Sequence, residues 1–276
     1  MSCRGSGLIV RSVVGAVATA AVLVIPAESR AADMPRKAPV GAPLAAVAES
    51  SWAGSYLGLF AGYGGGIARS TAPFNPGPGF FYNFGGNPYS FPANGFFGGA
   101  TLGYNWQSGA LVAGIEGEIG YLGLRGSSLD PNGVAAGFPD TTTSFRSDFF
   151  GALSARLGIA TGAALLYAKG GGAVLNAKGT TVDPCVAPPA GCGTETLFMS
   201  GRKTMLGWSG GGGVEWRFAP NWSIKAEYVY FDFGNLRTFG ISSVGDPYFQ
   251  TISVTAHTGK INLNYRFLPG PVVARY

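Results

Sequence analysis

The chain has 276 residues, 46 of them Gly, with 12% charged and 13% aromatic side chains. A water-soluble domain carries about 25% charged residues and about 7% Gly, so this composition excludes an ordinary hydrated surface, while 46% hydrophobic residues exclude disorder throughout. The formal charge of +5 is scattered, without a Lys/Arg run or a recognition motif, which excludes nucleic acid as a partner.

Arg4 and Arg11 open the chain, residues 13–25 form an uncharged apolar run, and Ser29-Arg30-Ala31 puts small residues where a signal peptidase reads. The run is shorter than the roughly 20 residues a membrane-spanning helix needs, so residues 1–31 are expected to be a cleaved secretory signal. No later stretch is long and apolar enough for such a helix. A mature chain that enters lipid must therefore do so as a closed sheet, because open strand edges stay unsatisfied there. Residues 32–50 are rich in Pro and Ala without periodic pattern, the composition of an extended periplasmic linker.

From Trp52 onward the residues alternate, as they must when i and i+2 share one face of a strand. Leu57, Leu59, Ala61 and Tyr63 oppose Tyr56, Gly58, Phe60 and Gly62; Ala100, Leu102 and Tyr104 oppose Gly99, Thr101 and Gly103. Ile115, Ile119 and Tyr121 oppose Glu116 and Glu118, and Phe149, Leu153, Leu157 and Ile159 oppose Asp148, Ser154 and Arg156. Leu166, Ala168 and Val174 lie against Tyr167 and Lys169, then Leu206, Trp208, Val214, Trp216 and Phe218 against Ser209, Glu215 and Arg217. Ile224, Ala226, Tyr228 and Tyr230 oppose Lys225 and Glu227, and Ile261, Leu263, Tyr265 and Phe267 oppose Lys260, Asn262, Asn264 and Arg266. Apolar residues 252, 254 and 256 are out of phase with 261 and 263, and a bulge is expected near Ala256-His257.

The connections sort into two classes. Gln107-Ser108-Gly109, Thr161-Gly162-Ala163 and Ala219-Pro220-Asn221 are tight turns, whereas 64–95, 126–145, 176–203 and 235–250 read as long links. This rhythm predicts an all-β fold: an eight-stranded, antiparallel, up-and-down transmembrane β-barrel over residues 51–267, with long outer loops and short periplasmic turns. A lipocalin-like soluble barrel also alternates, but its outer face is rich in charge; here charges number one or two per strand. Tyr63, Tyr104, Tyr121, Trp216, Trp222 and Phe267 fall near strand ends, where aromatic girdles sit.

Ala32-Asp33-Met34-Pro35, Trp52-Ala53-Gly54-Ser55-Tyr56-Leu57-Gly58 and Ala61-Gly62-Tyr63-Gly64 are followed in order by further short motifs. These are Gly103-Tyr104-Asn105-Trp106-Gln107, Arg156-Leu157-Gly158, Gly213-Val214-Glu215 and Asn264-Tyr265-Arg266-Phe267. With these the chain resembles the porin-like outer-membrane proteins of alphaproteobacteria, immunogenic surface antigens related to the OmpA-type transmembrane barrel. The resemblance spans the mature chain and implies a bacterial outer-membrane location, with outer-membrane lipid and the barrel assembly machinery as partners. The family ends at the Phe matching Phe267, a terminal assembly signal; here residues 268–276 follow, so either Phe267 or Tyr276 carries that signal.

By parity the barrel interior holds Glu116, Glu118, Asp148, Glu215 and Glu227 with Arg156, Lys169, Arg217, Lys225, Lys260 and Arg266. Eight-stranded barrels are narrow enough for side chains to fill, and unpaired buried charges are costly. The expected function is a structural barrel that displays surface loops, its interior plugged by this charged network. The alternative is a narrow porin for small hydrophilic solutes. An enzyme of the membrane-barrel type needs an acid/base or nucleophilic constellation, and the single His, His257, has no Ser or Asp partner at its level; no enzymatic activity, metal or cofactor is expected. Cys185 and Cys192 enclose a short loop, and in an oxidising compartment their expected role is a disulfide. Gly170–172 and Gly210–213 lack the Lys and following helix of a phosphate-binding loop and read as strand glycines. The sequence names no ligand for the loops.

Overall fold

The computed structural model describes residues 51–72, 86–135, 137–185 and 195–267. The expected signal, linker and C-terminal extension lie outside them, as do Tyr276 and Cys192.

Alternation produces strands throughout. They are β1 (Gly54–Thr71), β2 (Tyr89–Ser108), β3 (Leu111–Leu122), β4 (Arg125–Leu129), β5 (Thr142–Thr161), β6 (Ala164–Asp183), β7 (Leu197–Ala219), β8 (Trp222–Ile241) and β9 (Pro247–Phe267). One short helix, α1 (Pro131–Ala135), follows β4. Successive strands pair antiparallel, except that β3 and β4 each pair with β2 and β5, and β1 pairs with both β2 and β9, which closes the sheet. β3 and β4 are one passage: Phe97 faces Leu122 and Asn94 faces Arg125 in unbroken register across the gap at residues 123–124. The ring therefore has eight passages. At one end Gly109 and Gly162, with φ of 59° and 61°, supply the left-handed residue that two of the tight turns require.

The strands are longer than the sequence suggested. Six of the eight passages have 20 residues or more in a single strand, about twice the 9–11 a tilted strand uses to cross lipid. At ~3.3 Å per residue and a tilt near 45°, 20 residues rise ~47 Å, against an apolar band of ~25 Å. The expected links 64–95, 126–145, 176–203 and 235–250 shrink accordingly, because both of their ends are strand.

The reason lies in what changes along each strand. In β9 the inward residues near the turn end are Arg266, Asn264, Asn262 and Lys260, and Tyr265, Leu263 and Ile261 face out. Farther along, Ala256, Val254 and Ile252 face in and are fully buried, while Thr255, Ser253 and Thr251 face away. The phase reversal that suggested a bulge at Ala256-His257 is thus not one: β9 keeps a single register with β1 past both residues. The backbone continues straight and its surroundings change, from lipid outside to water outside. β8 does the same, with Lys225 and Glu227 giving way to Val229, Phe231 and Phe233 on the inward face.

Real register shifts lie elsewhere, in β5 between Ser147 and Phe150, in β8 between Asp232 and Asn235, and in β7 between Ser200 and Trp208 and between Arg217 and Ala219. The first one corrects the placement of Asp148. A β-bulge adds a residue and re-aims its neighbours; Ser147 and Phe150 are both buried, and the Asp148 side chain is 48% accessible, paired with the exposed Arg202 at 3.3 Å. Asp148 is not an interior charge.

Outside, exposed rings form two belts. Tyr104–Trp106, Trp222–Tyr265 and Tyr265–Phe267 meet in tilted or edge-to-face pairs near the turn end, and Tyr63–Phe96 and Trp208–Tyr230 stand at the other edge of the apolar band. His257 belongs to this second belt, its Nδ1 2.6 Å from the Tyr228 hydroxyl and its ring against Tyr230.

Candidate functional site

The inward side chains stack in layers. At the floor, Trp52 is fully buried against Val112, Leu165 and Tyr167. Two guanidinium groups lie over its indole, Arg217 at 4.6 Å and Arg266 at 4.9 Å from the ring centre, a favourable arrangement for a cation over a π face. The backbone is tied as well: the Trp52 N–H donates to Gln107 Oε1, Asn105 Nδ2 donates to the Trp52 carbonyl at 3.2 Å, and Arg266 donates to the Ser51 carbonyl at 2.9 Å. Two of the expected interior bases, Arg217 and Arg266, thus belong to the mouth of the barrel.

The next layer is ionic. Glu116 accepts from Lys169 at 2.7 Å and from Lys225, and lies 3.7 Å from Arg156. Glu118 pairs with Lys169 at 3.0 Å and with Lys260. Glu227 lies 3.0 Å from Lys169, 3.3 Å from Lys260 and 3.5 Å from Lys225. Glu215 joins through Arg156 at 3.2 Å and accepts from Ser223 at 2.6 Å and Asn264 at 3.0 Å. Four carboxylates meet four cations, and every one of these side chains is 2% accessible or less. The strands dictate the meeting: Lys225 faces Glu215 across β7–β8, Glu227 faces Lys260 across β8–β9, and Arg156 faces Lys169 across β5–β6. Cross-strand neighbours are the natural contact pairs of a sheet.

Rings complete the layer. The Tyr56 hydroxyl donates to Glu116 at 2.6 Å, and the Arg156 guanidinium lies 4.8 Å from the Tyr56 ring and 5.0 Å from Tyr167. Gly103 makes this possible, since a Cβ there would stand 2.2 Å from the Tyr56 ring. The Gly210–213 run lies within β7 and faces β6 and β8, as strand glycines do. Carboxylate oxygens of Glu116, Glu118 and Glu227 lie within 4.8 Å of one another, a spacing that could hold a metal ion. The ammonium groups of Lys169, Lys225 and Lys260 already occupy the cation's place.

Beyond the ions lies an apolar layer centred on Phe60, Phe97, Phe150 and Phe231, with ring centres 4.9–5.3 Å apart from Phe97 to its two nearest partners and from Phe150 to Phe231. A polar layer follows. Tyr89 donates to Thr143 at 2.8 Å, Thr143 bonds Thr181 at 2.9 Å, Thr181 donates to Gln250 at 2.7 Å, and Gln250 reaches Ser70. At the loop end Asp183 accepts from Thr141 at 2.8 Å and from the Cys185 N–H at 3.1 Å, while burial pushes its carboxyl above the ordinary value. Cys185 is in a disulfide.

The sequence thus identified eight of the ionic residues that meet in one layer. It missed Trp52, the phenylalanine layer and the Thr/Gln layer. Tyr56 and Tyr167 stand on the charged parity, and that signal alone placed them inside.

Only a barrel immersed in lipid gains by turning its rings outward and its carboxylates inward at the same level, so the class is that of integral outer-membrane β-barrels. The chain belongs to the outer membrane protein beta-barrel domain family, whose model matches residues 38–267. It is 31% identical over 239 residues to a 31 kDa outer-membrane immunogenic protein of Brucella melitensis, covering 86% of this chain and 92% of the relative. It is 28% identical over 220 residues to a 25 kDa outer-membrane immunogenic protein of Brucella abortus, covering 79% and 84%. Among solved structures, the outer membrane protein OprG of Pseudomonas aeruginosa aligns over 78% of this chain and 97% of its own, at 9% identity and a TM-score of 0.43. The protein resides in the outer membrane.

Proposed function

We propose that this chain is a structural barrel of the outer membrane that carries surface loops, its lumen closed by its own side chains rather than open to solutes. The observation that carries the reading is the burial of the ionic layer: charges 2% accessible or less have next to no contact with water. Trp52 below and the phenylalanines above support it, since two further dry layers are stacked on the same axis. A conducting pore would instead keep its charges hydrated, because a mobile ion must exchange its water for something.

The rest of the reading follows from export. Residues 1–31 are the signal, cleaved after Ala31; residues 32–50 are a periplasmic linker; and the assembly machinery recognises either Phe267, whose side chain is exposed at the turn-end rim, or Tyr276. Cys185 and Cys192 pair to stiffen the outer loop. A non-enzymatic role is supported by the relatives' character as immunogenic outer-membrane proteins and by the place of His257 in an aromatic belt rather than beside a carboxylate.

The test is single-channel recording of the mature protein folded into a planar bilayer, folding being verified by the different gel migration of unboiled and boiled samples. Silence from folded protein is the expected result. Reproducible discrete current steps would overturn the closed lumen and make the chain a porin.

A further inference from the structure

One row of residues on the outside of the barrel has no account in the lumen or the belts. Arg125 faces Arg146 across β4–β5, Arg146 faces Lys178 across β5–β6, and Lys178 faces Arg202 across β6–β7. Four cations on four neighbouring strands thus stand side by side on one outward face, the three arginines exposed and Lys178 half-exposed. Like charges directly opposite one another destabilise a sheet. Asp148, at the bulge of β5, pairs with Arg202 at one end of the row; among the described residues Arg125, Arg146 and Lys178 are in no ion pair.

The row's level is informative. On β5 it lies on the loop side of the outward Phe149, and on β3–β4 on the loop side of the outward Tyr121, both at the edge of the apolar band. Two residues farther from the lipid, the same strands present Ser127, Ser144, Thr180 and Ser200, again directly opposite one another. Cations beside hydroxyls line a depression of about 530 Å³, formed by Arg125, Arg146 and Lys178 with Ser127, Ser144 and Thr180.

We propose that this depression docks the phosphorylated headgroup of an outer-leaflet glycolipid. The barrel's own lipid band puts the row where the headgroups lie, and the charge is complementary. Arginine forks on adjacent strands suit phosphate oxygens, which accept paired N–H bonds, and the hydroxyl row suits the sugar to which the phosphate is attached. Binding an anion would also relieve the repulsion within the row. The site lies on the outer wall, so it is independent of whether the lumen conducts.

The test uses the mature protein folded in detergent micelles and titrated with diphosphoryl lipid A, bound lipid being counted by native mass spectrometry. The comparison is with the same lipid after removal of both phosphates, and with heparin and inorganic phosphate as soluble anions. Expected are at least tenfold tighter binding of the phosphorylated lipid, at least tenfold loss in an Arg125→Ser/Arg146→Ser/Lys178→Ser variant, and no competition by millimolar phosphate. The triple variant loses only repulsive contacts, so its gel shift should persist; Arg146→Glu alone, at an exposed position, should weaken binding at least fivefold. Equal affinity for the dephosphorylated lipid, or unchanged affinity in folded variants, would overturn the proposal. So would tight heparin binding that depends on the row while lipid A binding does not, or displacement of the lipid by free phosphate.

Discussion

The sharpest perturbation of the ionic layer is Glu116→Gln, which keeps the shape of the side chain and removes its charge. Glu116 is bound by Lys169 at 2.7 Å and by Lys225, lies 3.7 Å from Arg156, and accepts the Tyr56 hydroxyl at 2.6 Å. The layer is neutral with four carboxylates and four cations; the variant leaves it with one excess positive charge, none of it reachable by water. Breaking one partner out of a buried ion pair costs about 3–5 kcal/mol, equivalent to roughly a hundred- to several-thousand-fold in the unfolding equilibrium. Urea unfolding in lipid vesicles, followed by tryptophan fluorescence and by the gel shift, measures it. Lys225→Met should cost a similar amount, and the double variant should cost less than the sum of the two by at least about 2 kcal/mol, because the second change removes the charge the first one stranded. A loss below about 1 kcal/mol for Glu116→Gln, the range of solvated surface pairs, would mean that water screens this layer and that the lumen is not dry.

The exterior pair gives the contrast: Asp148→Asn breaks a pair whose side chains are 59% and 48% accessible and should change stability by no more than about 1 kcal/mol in the same assay. Trp52→Ala removes a fully buried indole with two guanidinium neighbours; the expected loss is about 3–5 kcal/mol, read as a lower urea midpoint. Gly103→Ala should destabilise the barrel because its Cβ meets the Tyr56 ring at 2.2 Å, and the effect should shrink in a Tyr56→Ala background; equal penalties in both would show that the ring is not the obstacle. Nitroxide labels at Ile261→Cys and Ser253→Cys, in a chain lacking Cys185 and Cys192, should report lipid-soluble oxygen at 261 and a water-soluble nickel complex at 253. The same environment at both sites would refute the change of surroundings along β9.

Ring closure, eight passages and the inward parity of Glu116, Glu118, Arg156, Lys169, Glu215, Lys225, Glu227 and Lys260 were legible in the sequence, because below the second aromatic belt each strand obeys one rule. The outer halves were not. There Phe231 and Val254 face in while Arg237 and Thr255 face out, so a reader expecting apolar residues to face lipid finds the pattern reversed and the run polar enough for a loop. Asp148 failed for a local reason: a one-residue bulge inverts parity, and nothing in Arg146-Ser147-Asp148-Phe149 marks it. Trp52 precedes the first strand, where alternation carries no information, and its burial depends on Arg217 and Arg266 from distant parts of the chain.

The projecting half of the barrel has a consequence for how such proteins vary. Its loops are mounted on strands that run roughly 20 Å beyond the lipid-facing band, so their height is set by strand length and not by loop length. Removing two residues from every passage would lower them by about 5 Å and leave each remaining side chain on its original face. Removing one would turn Phe150, Phe231 and Val254 toward water and their polar neighbours into the interior. Unless a bulge such as that of β5 takes up the odd residue, surface height in this architecture changes in even steps, taken by all eight passages together.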